Sequence, residues 1–62
     1  MAVMGRNDPV HIAYDEILID RKLAILLRID REEVWIPKSQ VLDEGENWVE
    51  IPEWLALEKS LI

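Results

Sequence analysis

The chain has 62 residues, no cysteine and a formal net charge of −6. A domain of this length buries only about 60% of the surface that its unfolded chain exposes, so the core alone gives marginal stability. Disulfides are excluded and a zinc centre is disfavoured, because the one histidine, His11, has no cysteine or second histidine beside it. Self-association is therefore the expected supplement to the core.

The composition also bears on location. A cysteine-free chain fits a reducing compartment, and no segment has the basic start and long apolar run of a signal peptide. The longest apolar run, residues 23–27, is far too short to cross a bilayer. These features predict a soluble, cytoplasmic protein without a membrane partner.

The negative charge is concentrated in the C-terminal third. Residues 41–62 contain six acids and the single base Lys59, whereas residues 1–40 contain seven acids and six bases. Carboxylates repel phosphates, so a nucleic-acid footprint over the whole molecule is disfavoured. The acidic third is interpreted as a solubilising surface, with docking on a basic protein as the alternative.

Residues 1–11 are expected to form a flexible leader, and residues 12–62 a single domain. Residues 17–19 and 23–29 predict a hairpin around the turn 20–22. Residues 34–36 predict a further strand that Pro37 ends, because proline cannot donate to a ladder. Val41 and Leu42, followed by a polar turn and residues 48–51, predict a last pair of short strands.

The end of the chain changes to helical periodicity. Pro52 and Glu53 suit the first turn of a helix, which is predicted over residues 52–61. Its apolar stripe comprises Trp54, Leu55, Leu57, Leu61 and Ile62, with Glu58 in the middle. The whole pattern predicts an α+β fold, a small antiparallel sheet of four or five short strands followed by one C-terminal helix.

The strands are apolar on both faces, which one short helix cannot cover. Leu23, Ile25, Leu27 and Ile29 are expected to face the helix and core. The opposite side, with Ala24, Leu26 and Arg28, or an open sheet edge, is expected to meet another copy. The candidate interface residues are Ala24, Leu26 and Glu58, and the expected assembly is a dimer or tetramer. The alternative is a half-barrel that hides both faces within one subunit.

The inventory of reactive side chains argues against an enzyme. A nucleophilic triad needs a Ser, Cys or Thr beside a base, but only Ser39 and Ser60 are present, and Gly5 and Gly45 are too far apart for a phosphate loop. Carboxylates near the turns are a weak indication of a magnesium-dependent nuclease. No catalytic residue, metal ligand or cofactor is therefore predicted.

Three tryptophans offer a second kind of site. An aromatic side chain beside Lys or Arg side chains on an exposed sheet can stack with the bases of single-stranded nucleic acid. Trp35 lies near Lys38 and is able to share a face with Arg28. The alternative is that the tryptophans belong to the core. Lys38, Ser39 and Gln40 could instead line a nucleotide pocket between subunits, or simply hydrogen-bond nearby backbone at a strand end.

Three segments of the chain resemble a set of very small proteins encoded by phages and prophages. The segments are residues 22–30 (KLAILLRID), 33–40 (EVWIPKSQ) and 51–62 (IPEWLALEKSLI). Members of this set resemble the single-stranded-DNA-binding positive-coactivator fold, and some are counter-defence factors, including CRISPR nuclease inhibitors. The signature positions are Trp35, Pro37, Lys38, Ser39, Gln40, Trp54, Leu55 and Lys59. The chain departs from the pattern in its leader and at Arg31, where a turn glycine is expected.

The resemblance implies a non-enzymatic, phage-type accessory protein that self-assembles in the host cytoplasm. It would inhibit a host defence, such as a CRISPR nuclease, by binding protein or nucleic acid. The alternatives are a single-stranded nucleic-acid-binding module and a sponge for nucleotide signals. The candidate binding residues are Arg28, Trp35, Lys38, Ser39 and Gln40.

Overall fold

A computed structural model describes residues 8–62, which form six strands, one 3-10 turn and one α-helix. The strands are β1 (Pro9–Ala13), β2 (Glu16–Asp20), β3 (Ala24–Ile29), β4 (Glu32–Pro37), β5 (Asp43–Gly45) and β6 (Trp48–Pro52). The 3-10 turn spans Lys38–Gln40, and helix α1 spans Glu53–Glu58.

The strands form two antiparallel sheets of three strands each. The first sheet has the order β1-β6-β5, and the second has the order β2-β3-β4. The predicted α+β class, with antiparallel strands and one C-terminal helix, is confirmed. The prediction of one sheet with four or five strands is corrected to two sheets, because β1 adds a strand and the chain changes sheet after it.

The change of sheet takes place at two consecutive residues. The amide of Tyr14 donates to the Asn47 carbonyl at 2.9 Å and extends the first sheet, whereas the amide of Asp15 donates to the Arg28 carbonyl at 2.7 Å and extends the second. One bent segment, β1 to β2, therefore belongs to both sheets and brings their inner faces together.

The core fills the space between those inner faces. The first sheet contributes Ile12, Val49 and Ile51, and the second contributes Ile25, Leu27, Val34 and Ile36. Leu55 and Ala56 of α1 complete this cluster. As predicted, Ile25 and Leu27 face the core and Ile29 packs partly against it, but Leu23 lies in a turn and is 77% exposed.

The turn between β3 and β4 requires an unusual backbone. Asp30 and Arg31 have φ values of 52° and 75°, and they are the two residues between strands paired from Ile29 to Glu32. Positive φ at both central residues defines the type I′ turn, whose twist matches the flanking strands and which favours glycine. Arg31 thus adopts the glycine-like conformation itself.

Helix α1 is shorter than predicted because a left-handed residue stops it. Ser60 has a φ of 60°, its amide donates to the Leu57 carbonyl, and the Leu61 amide donates to the Ala56 carbonyl. This pair of bonds is the Schellman motif that ends helices. The stripe changes accordingly: Ala56 is buried, while Leu57 and Ile62 are exposed.

Two other segments differ from the sequence expectations. Pro9, Val10 and His11, assigned to the leader, pair with β6 as part of β1, and residues 1–7 lie outside the described residues. The strand expected at Val41 and Leu42 begins at Asp43, although the Leu42 amide already donates to Glu50 at 2.7 Å.

Replacing Arg31 by glycine is expected to stabilise the protein. The change Arg31→Gly removes a Cβ from a left-handed position and should raise the free energy of unfolding by about 1 kcal/mol. The control Arg31→Ala loses the same charge but keeps the Cβ, so it should gain nothing. Urea unfolding followed by tryptophan fluorescence measures both, and equal effects would show that charge, not backbone conformation, matters there.

Candidate functional site: the outer face of the second sheet

The outer face of the second sheet carries the largest organised set of candidate residues. Cross-strand register defines two rows on this face, Glu16–Arg28–Glu33 and Ile19–Leu26–Trp35. Ala24 opposite Pro37 begins a third row, and the Arg21 amide extends it by donating to the Ala24 carbonyl at 2.9 Å. We refer to these rows as the acidic, apolar and basic rows.

The apolar row is the centre of this face. Ile19 and Trp35 are 38% and 40% exposed, whereas Leu26 between them is only 7% exposed. A bulge at Leu18 makes this row possible, because it shifts the register so that Ile17 faces inward and Ile19 faces outward. Two large apolar side chains on edge strands thus flank a leucine that is outside the core cluster.

The acidic row neutralises its own base. Arg28 Nη1 donates to Glu16 Oε1 at 2.7 Å, and Glu33 is the cross-strand partner of Arg28 on the other side. Arg28 and Trp35 do share one face, as the sequence indicated. However, a phosphate approaching Arg28 would meet carboxylates on both sides, which disfavours nucleic acid there.

The remaining binding candidates lie elsewhere. Lys38 begins the 3-10 turn and donates from Nζ to Asp20 Oδ1 at 2.5 Å. Ser39 and Gln40 complete that turn. The structure therefore groups Arg28 and Trp35, but it separates them from the Lys38–Gln40 segment.

The three interface candidates are also divided. Ala24 and Leu26 lie on the outer face, beside Trp35. Glu58 is exposed on α1, where it borders a shallow groove with Glu53, Trp54 and Leu57, and α1 packs on β1 and β6 of the first sheet. The three candidates therefore lie on two different elements, β3 and α1.

A cleft of about 310 Å³ opens between the two sheets. Ile17, Ile25, Val41 and Val49 are its apolar lining residues, and Tyr14, Asp20, Lys38 and Glu44 are its polar ones. Asp20 and Glu44 pair across their strands with core residues Ile25 and Val49, so both carboxylates belong to inner faces of edge strands. Inward charges on edge strands limit unwanted strand pairing, and with one base they disfavour a phosphate ligand.

The outer face of the first sheet holds a cluster that sequence reasoning did not identify. The His11 and Trp48 rings stack with centroids 4.7 Å apart, and His11 Nδ1 lies 3.8 Å from Glu50 Oε2. The register His11↔Glu50 and Ala13↔Trp48 creates this contact. The cluster depends on His11, which was placed in the expected leader of residues 1–11, so no sequence signal revealed it.

Gly45 lies beneath the ring of Trp48. The two residues are cross-strand partners, and a Cβ built on Gly45 would overlap the indole. Glycine is required here because the indole approaches its backbone closely. A left-handed conformation is not the reason, because the φ of Gly45 is not positive. This glycine allows the indole to cover the edge strand β5.

No set of three metal-binding side chains converges within residues 8–62. Within the same residues, no helix combines the length and apolar character needed to cross a membrane. Comparison with known proteins found no matching family model, no matching curated protein and no matching solved structure.

Adding a methyl group at Gly45 is expected to destabilise the first sheet. The change Gly45→Ala should lower the free energy of unfolding by about 1 to 3 kcal/mol, because the Trp48 indole must move. In a Trp48→Ala background the same change should cost much less. Urea unfolding followed by circular dichroism measures this cycle, and equal losses in both backgrounds would contradict the contact.

Proposed function

We propose that the protein is a non-enzymatic accessory factor that self-assembles and inhibits a host defence by binding protein. The observation that supports this proposal is the exposed apolar row on the outer face of the second sheet. Exposed Ile19 and Trp35 sit side by side with nearly buried Leu26 rather than scattered. A contiguous apolar row bordered by charges is typical of a surface that contacts protein.

The phage-type, counter-defence part of this proposal comes from the resemblance of residues 22–30, 33–40 and 51–62. A CRISPR nuclease is the proposed target class. Trp35 is common to both lines of support, because it belongs to the signature segment and is the most exposed member of the apolar row. Tryptophan is also among the residues that contribute most to binding energy in protein interfaces.

A single-stranded nucleic-acid-binding module is the second candidate. The observation in its favour is that Trp35 is exposed on the same face as Arg28, as a stacking platform requires. Against it, Glu16 and Glu33 flank Arg28, and Lys38 bonds to Asp20. The nucleotide-sponge alternative is weaker, because Asp20 and Glu44 line the cleft that Lys38 borders.

Inhibition is tested in cells whose CRISPR nuclease targets a plasmid. Expression of the wild-type chain should raise the transformation efficiency of the targeted plasmid, and Trp35→Ser should abolish this protection by removing the aromatic contact. The control is Leu57→Ser, which changes an apolar residue on α1 that is even more exposed than Trp35 and should retain protection. Wild-type protein that is expressed but gives no protection would contradict the proposed target, and equal loss in both variants would contradict the role of the outer face.

The nucleic-acid alternative is separated by titrating the protein with oligonucleotide at low salt, where phosphate contacts are strongest. We expect tryptophan fluorescence to remain unchanged, because carboxylates neutralise the basic side chains nearest Trp35. Quenching that saturates in the wild type and disappears in Trp35→Phe would instead make the outer face a nucleic-acid surface.

A further inference from the structure

The charges of the second sheet are distributed unequally along its strands. The end that contains the β2–β3 turn has three bases, Arg21, Lys22 and Lys38, and one acid, Asp20, a net charge of +2. The opposite end, residues 15–16, 28 and 30–33, has five acids and two bases, a net charge of −3. The apolar row crosses the sheet between these two ends.

We propose that a second copy of the chain covers the outer face in a symmetric, face-to-face dimer. The two-fold axis would lie between the second sheets of the two subunits, perpendicular to their strands and along the apolar row. This inference rests on the proposed function, because it assigns the apolar row to the self-assembly part of that proposal; the host protein would then contact another surface of the dimer. Two sheets packed in this way keep their strands within about 30° of each other, about 10 Å apart.

Charge complementarity favours this axis over a two-fold axis parallel to β3, which would also pack the two outer faces together. An axis parallel to β3 would place the acidic ends of the two sheets over each other. The perpendicular axis reverses the strands, so each basic end meets the partner's acidic end. In particular, Arg21 comes opposite the partner subunit's Glu16, because both residues lie on the β2 side of the face, one in the basic row and one in the acidic row.

The same axis brings the apolar rows together. Leu26 lies at the centre and meets the partner subunit's Leu26, while Trp35 meets the partner subunit's Trp35. A two-fold interface is self-complementary, so one row covers both subunits at once. A second copy would also stabilise this small, cysteine-free domain, because association removes Ile19 and Trp35 of each subunit from water.

Charge reversal combined with light scattering tests the arrangement. Arg21→Glu and Glu16→Arg should each raise the dimer dissociation constant by about tenfold, since the contact occurs twice in the interface. The double variant should restore much of the affinity, because the pair is re-formed with opposite sign. Lys59→Glu, a reversal at the end of α1, is the control and should leave the constant unchanged.

The outcomes separate this inference from the proposed function. A dimer whose dissociation constant is unchanged by both charge reversals would contradict the proposed axis, while leaving self-assembly and protein binding intact. A wild-type monomer at all accessible concentrations would overturn both the dimer and the self-assembly part of the proposal, but not protection of the plasmid. Weakening by each single reversal with recovery in the double variant would support the dimer as described.

Crosslinking provides a second measurement that does not depend on charge. Because the chain has no cysteine, Ile19→Cys introduces a single thiol on the apolar row, near the axis. A bis-maleimide of about 10 Å span, which matches the sheet separation, should join two subunits in high yield. The control Leu57→Cys should remain uncrosslinked, and equal yields from the two variants would contradict the proposed face.

Discussion

The bend between β1 and β2 is the constraint on which the rest of the structure depends. Consecutive amides, those of Tyr14 and Asp15, donate to carbonyls in different sheets, so one continuous segment fixes how the two sheets approach each other. Once their inner faces meet, α1 has only one end of the core left to close, and Leu55 and Ala56 are sufficient for this. The outer face of the second sheet then has no element of residues 8–62 to cover it.

The sequence predicted the parts of the fold that depend on local chemistry. The apolar run 23–29, the β-branched residues around Trp35 and the stop at Pro37 correspond to β3 and β4. The start of β1 could not be predicted, because proline is depleted in strands and Val10 is the only one of Pro9, Val10 and His11 with a strong strand propensity. They pair with β6 because Val10 and Ile12 can then pack beside Ile51 and Val49, and such long-range packing has no local signal.

The candidate site was predicted in part for the same reason. Alternation along β3 correctly grouped Ala24, Leu26 and Arg28 on one side, and two-residue periodicity is enough for that inference. Whether Arg28 was free to bind phosphate depended on Glu16, twelve residues away, and on a bulge at Leu18 that sets the pairing. The helix stripe was only partly correct because Ser60 turns the chain after a helix of 6 residues, which is less than two turns.

The exposed apolar row and the unusual turn residues have a common physical meaning. Arg31, Asn47 and Ser60 hold left-handed conformations that glycine would adopt at lower cost, so stability has not been maximised at these positions. Such a chain gains more from a binding partner than a domain with a larger core, because coverage of the apolar row adds to a small free energy of unfolding. Arg28 lies between Glu16 and Glu33, so this row bears on which ligands bind rather than on how tightly they bind. Its carboxylates repel phosphates and favour a positively charged surface. A partner that covered this face would therefore have to combine an apolar centre with a positively charged edge, and the apolar and basic rows of the proposed second copy together have that composition.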